Sequence, residues 1–176
     1  MIKKLLIKHA PWLACPRTLN PEAILWAIYR CEKYGKGKRV PRYEPAYAPG
    51  GKYYKRSEMV REEFAKWGPS AACSYSDFQI LYITAVELGW EGPPLALDRN
   101  EIAIKVVVDY LNNRVFSKGA ATPEEVADAY NSGTFKDMNV PTDYMLKFRY
   151  FYDGYVREQC MEPTPSDNDS SSEPQV

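Results

Sequence analysis

The chain has 176 residues, 23 Lys/Arg balanced by 23 Asp/Glu, and is 45% apolar and 14% aromatic, with 14 tyrosines. That length and composition suit one globular domain with a real core and exclude a disordered chain. No run of residues is long and apolar enough to span a bilayer, so a soluble protein is expected.

Residues 1–20 read as an N-terminal arm or a short helix. Met1-Ile2-Lys3-Lys4-Leu5-Leu6-Ile7 begins like a signal peptide, but Lys8 and His9 interrupt the apolar run before an h-region forms. Leu13-Ala14-Cys15 is only faintly like a lipoprotein cleavage site. Synthesis in a cytoplasm without a clear signal peptide is the expectation. Asn20-Pro21-Glu22 then opens a helix with an N-cap residue, proline at the first helical position and an acid in the first turn. The helix runs through Ile24, Leu25, Ile28 and Cys31 and ends at Gly35. Residues 35–56 form a Gly-, Pro- and Tyr-rich loop. Ser57 caps a short charged helix that reaches about Trp67, and Gly68-Pro69 breaks it.

A further helix is expected over 76–88, with Phe78, Leu81, Ala85 and Leu88 on one face, stopping at Gly89. Asp98 and Glu101 form a capping-box pattern ahead of Ile102, Val106, Val107, Tyr110 and Leu111. The run Val106-Val107-Val108 admits a strand, but the cap and the length favour a helix. Thr122-Pro123-Glu124-Glu125 is a second capping box, and a last helix fits 143–159, weakened by Gly154. The chain therefore reads as an all-α, or α-dominated, protein: an arm over 1–20, one helical domain over 21–160 and a disordered acidic tail over 161–176.

Charge is unevenly spread. Residues 30–56 hold nine Lys/Arg and two Glu, whereas 57–176 hold ten Lys/Arg and twenty Asp/Glu. The basic segment suits an anionic polymer, peptidoglycan or nucleic acid, and equally a solvated loop. The widely spaced Cys15, Cys31, Cys73 and Cys160 show no zinc or redox pair, so free thiols are expected. His9 is the one histidine, which leaves Cys–His and Ser–His–Asp chemistry without a base outside the arm. No metal-ligand spacing and no phosphate-cradling glycine loop is present, so no metal and no cofactor is implied.

Carboxylates remain. Leu25, Ile28 and Glu32 share one helix face, so Glu32 continues an apolar stripe into the last turn. Burial and the negative end of the helix dipole both disfavour a carboxylate anion there, as a glycosidase acid requires. From spacing alone, a helix-end glutamate paired with Lys33 or Lys36 is the simpler reading. Glu44, in the loop between Tyr43 and Pro45, is a second candidate, and with Glu32 it would give the two carboxylates of glycoside hydrolysis. Taken alone, it reads as a solvated loop acid.

Three separated segments resemble, in order, the motifs of the soluble lytic transglycosylase and goose-type lysozyme superfamily, above all its phage-associated branch. Ala23–Glu32 resembles the helix that ends in the catalytic glutamate, and Arg42-Tyr43-Glu44-Pro45 a segment that follows it. Ser74–Ile80, continued by Thr84–Gly89, resembles the Gly-Leu-Met-Gln element and its helix, with Glu91–Leu95 as a connector. Ala129-Tyr130-Asn131-Ser132-Gly133 resembles Ala-Tyr-Asn-Ala-Gly. The resemblance covers about 21–135 and implies a single lysozyme-like domain cleaving the MurNAc–GlcNAc bond of peptidoglycan.

In that family Glu32 would protonate the glycosidic oxygen and then act as base, with no second carboxylate required. Tyr130 would position the glutamate or the sugar, and Gln79 and Asn131 would bond the glycan. For these three the alternative is structural: a core aromatic, and caps or turn formers. The implied partner is the peptidoglycan glycan strand, with no nucleic acid expected, no membrane span and a monomer. The implied place of action is the cell wall, as a phage endolysin or a virion-associated protein. Departures from the pattern are Lys33 for serine, Ser76 for the glycine that admits close backbone approach to substrate, and Asp77 for an apolar residue. Asp77 is thus a possible second acid or a surface charge. A hydrolytic muramidase and a non-catalytic binding module stay open.

Overall fold

A computed structural model of the protein describes residues 1–33, 41–134 and 142–161. Eight α-helices and one small sheet occupy the described residues: α1 (Ile2–His9), α2 (Pro21–Lys33), α3 (Lys52–Arg56), α4 (Glu58–Trp67), α5 (Tyr82–Glu87), α6 (Asn100–Tyr110), α7 (Pro123–Ser132) and α8 (Asp143–Met161), with β1 (Arg42–Tyr43), β2 (Cys73–Tyr75) and β3 (Ile80–Leu81). The domain is mainly helical, as the sequence indicates.

The central helix is α2. The Asn20 side-chain oxygen accepts from the Ala23 N–H (3.0 Å), which fixes its start. Ile24, Leu25, Ala27 and Ile28 are fully buried, and α2 packs chiefly on α8, which in turn packs on α7. Each fully buried Leu, Ile or Phe of this core stabilises the fold by roughly 1.5–3 kcal/mol. The N-terminal arm joins the same core: α1 packs on α2 and α6 and buries Leu6 completely. Along the α2–α8 seam the Arg30 guanidinium lies over both Trp26 and Phe151, and Lys3 over Trp26. These cations shield large aromatic faces at the edge of the core.

Two expectations change on contact with the fold. The helix expected over 76–88 is shorter. Residues 76–81 are instead the turn and second strand of the β2–β3 hairpin, and only Tyr82–Glu87 is helical. The expected Asp98 cap does not form. Arg99 is the N-cap of α6 and makes no side-chain cap bond, because Asp98 instead accepts from the Ser76 N–H (3.3 Å) across the domain. By contrast, the helix favoured over a strand for Val106–Val108 is present, with all three valines buried in α6. Ser57 caps α4 and Thr122 with Glu125 forms a complete capping box on α7. The Gly35 stop and the acidic tail beyond Met161 lie outside the described residues.

Candidate functional site

The sheet is antiparallel in the order β1-β2-β3, pairing Arg42 with Ser74 and Ser74 with Leu81. It stands beside the C-terminal end of α2. Between them opens a cleft of about 530 Å³, a size that suits a small ligand or a few sugar rings. Four of the segments that line it carry residues singled out in the sequence: Glu32 from the last turn of α2, Glu44 from the end of β1, Gln79 from the hairpin turn, and Tyr130 and Asn131 from the end of α7. Five of the seven residues singled out in the sequence thus meet in one cleft.

Glu32 is half-buried, while Leu25 and Ile28 on the same face are fully buried, so the carboxyl emerges where the apolar stripe ends. The groups around it register its charge. Burial first, and then the Glu32 carboxylate, push the phenols of Tyr130 and Tyr144 well above their ordinary value. The same two causes push the neighbouring Cys31 thiol up to about 12. Tyr144 was not marked in the sequence. It enters the cleft from the first turn of α8 with its hydroxyl buried, and Glu32 opposes the ionisation of that hydroxyl both by its charge and by hydrogen bonding. Lys147, one turn further along α8, brings a cation to the same cleft.

Glu44 is held on the sheet. Its N–H donates to the Ala72 carbonyl (2.7 Å), and its Oε1 accepts from Arg42 and from the Ser74 hydroxyl (2.9 Å). It faces the cleft as an ion-paired carboxylate.

The hairpin turn is the most constrained backbone in the site. Ser76 (φ 64°) and Gln79 (φ 51°) both sit in the left-handed region that favours glycine. Side chains hold it there. The Ser76 hydroxyl accepts from the Phe78 N–H (3.1 Å), Gln79 Nε2 donates to the Ser76 carbonyl (2.9 Å), and the Tyr130 hydroxyl donates to the Phe78 carbonyl (2.9 Å). Tyr130 therefore fixes the turn that carries Gln79, besides lining the cleft. Such strain persists where surrounding structure over-determines it, commonly at functional sites.

Ser76 itself is buried and is not among the cleft-lining residues, nor is Asp77. Asp77 accepts from Asn100 Nδ2 (2.8 Å) and pairs with Lys33 Nζ (3.5 Å), which also donates to the Tyr29 hydroxyl (3.0 Å). Lys33 and Asp77 thus touch each other and tie the end of α2 to the hairpin turn.

Among the described residues no group of three or more His, Cys, Asp or Glu side chains is placed to hold a metal ion, and all four cysteines are free. A second hollow, about 740 Å³ between residues 17–21 and α8, gathers none of the singled-out residues, and its Arg149 is already bound to Glu124 and Asp153. Chemically, the cleft at Glu32 offers a half-buried carboxyl able to exchange a proton with a bound ligand, with phenols, amides and cations around it to orient that ligand. Comparison with protein-family models, with curated proteins and with solved structures finds no match for this chain.

Proposed function

We propose that the protein is a peptidoglycan-degrading enzyme, a lytic transglycosylase that cleaves the MurNAc–GlcNAc bond with Glu32 as its single acid and base. One observation carries this reading: Glu32, Gln79, Tyr130 and Asn131, picked out along the sequence in a definite order, line a single cleft although they come from three distant segments. In the proposed reaction, the Glu32 carboxylic acid donates its proton to the glycosidic oxygen as the C–O bond breaks. The resulting carboxylate then removes the proton from the sugar's own 6-hydroxyl as it closes on the anomeric carbon. The product is a 1,6-anhydro ring, with no water consumed. Tyr144 and Gln79 are suited to hold the sugar, and Lys147 to face its acidic substituents.

Glu44 favours one alternative. A second carboxylate on the cleft wall is what a hydrolytic muramidase would use to activate water. Mass spectrometry of fragments released from purified sacculi separates the two. The proposal expects anhydro-muropeptides. Reducing-end products would move the assignment to hydrolysis and make Glu44 the next residue to replace. No release by a protein that still binds sacculi would leave a binding module.

A further inference from the structure

The cleft does not end at Glu44. Tyr47 lines it, and the ring of Tyr53 stacks on Tyr47 with centroids 4.7 Å apart and planes 22° from parallel. Tyr53 is itself 41% exposed, and Tyr43, on β1, is 49% exposed. Single exposed aromatics are ordinary on a protein surface; Tyr53 differs in being stacked on a residue that lines the cleft.

The stack is built rather than incidental. Tyr47 ends a short 3-10 turn (Pro45–Tyr47) and Tyr53 lies in α3, so the chain must double back tightly between them. Gly51 makes this possible. A Cβ there would lie 2.3 Å from the Pro45 carbonyl oxygen and 2.5 Å from that of Ala46. The Gly51 N–H donates to Ala48 (2.8 Å), closing the turn. Arg61 then caps the far end of α3 through the Tyr54 and Lys55 carbonyls. Exposed cations border the rings: Lys52 Nζ lies 5.2 Å from the Tyr53 centroid, and Lys55 and Arg56 follow on the same short helix.

We infer that the Tyr47–Tyr53 stack is a binding platform that extends the cleft and holds the glycan strand beyond the bond being cut. The inference rests on the proposed peptidoglycan substrate. Continuity with the cleft through Tyr47 and charge complementarity identify the occupant. The apolar face of a pyranose ring lies against Tyr53, while Lys52, Lys55 and Arg56 meet the carboxylates of the stem peptides. A flat ring platform fits a sugar polymer, and the cations discriminate an acidic glycan from a neutral one.

Binding, read apart from cleavage, tests this. Full-length Glu32→Gln protein is mixed with purified sacculi at moderate salt and the bound fraction measured after pelleting. Tyr53→Ala in that background should weaken binding roughly three- to tenfold, whereas Tyr53→Phe, which keeps the ring, should bind like its parent. Circular dichroism and the melting temperature of each variant establish that the fold is kept. Weakening by Tyr53→Ala supports the platform whether or not the wild type cleaves, so the two readings fail separately. Unchanged binding by a folded Tyr53→Ala protein would overturn the platform. So would failure of the parent to bind sacculi, or binding of a single-stranded oligonucleotide in preference to them.

Discussion

At the scale of single residues, the hairpin turn shows most clearly how local strain is held in place. Ser76 occupies a left-handed conformation at φ 64° while almost fully buried, and its hydroxyl offsets part of that cost by accepting from Phe78. Valine can neither adopt this backbone cheaply nor replace the hydroxyl. Ser76→Val should therefore destabilise the protein by about 2 kcal/mol or more and lower its melting temperature by roughly 4–8 °C. Ser76→Gly exchanges relieved strain for a lost hydrogen bond and should stay within about 1 kcal/mol of wild type. Equal losses in the two variants, measured by denaturant unfolding, would show that φ at this position is not what matters.

Among the elements, α8 carries the clearest correctable cost. Gly154 lies inside a 19-residue helix, and a Cβ at that position would meet nothing within 4 Å. Gly154→Ala should stabilise the protein by roughly 0.5–1 kcal/mol, by restricting the unfolded chain and favouring the helix. A fall in melting temperature instead would mean that α8 needs the glycine for a reason not seen in its packing. The helix survives its glycine because Phe148, Phe151, Tyr152 and Tyr155 anchor it on α2 and α7.

The same elements explain what could be read in advance. Helix starts marked by side-chain caps were legible: Asn20, Ser57 and Thr122 each bond a backbone N–H within three residues, a purely local signal. The β2–β3 hairpin was not, since strands of three and two residues leave too little alternation to count, and Phe78 and Leu81 mimic a helical face. Asp98 misled because its carboxylate serves a distant N–H rather than its own helix. At the site, Glu32, Glu44, Gln79, Tyr130 and Asn131 were legible through their order along the chain. Tyr144 was not, because nothing local to α8 distinguishes it. Only the fold brings its hydroxyl beside Glu32.

For the whole molecule, the many buried phenols and thiols set a limit at high pH. Burial pushes Tyr75 and Tyr155 up to about 12 from an ordinary 10.0, and Cys31 up to about 12 from 9.0. In each case the native state keeps a proton that the unfolded chain releases at lower pH. Their contribution to stability is therefore fully present below about pH 9 and is lost as pH rises towards 12. Melting temperature should be flat from neutral pH to about 9 and then fall, and the last tyrosines to ionise, the buried ones, should do so together with loss of helical signal. Complete tyrosine ionisation in a protein that stays folded would contradict this.

In the function we propose, a carboxyl placed by α2 at the end of an apolar stripe, in a cleft closed by the hairpin turn, α7 and α8, cuts glycan strands. The most direct measurement is the initial rate of soluble glycan release from purified sacculi by wild-type protein and by Glu32→Gln, with the melting temperatures matched. The expected result is release by the wild type and a rate about 10²- to 10⁴-fold lower for the variant, the range expected for losing a general acid. A folded Glu32→Gln protein that releases glycan as fast as wild type would contradict it.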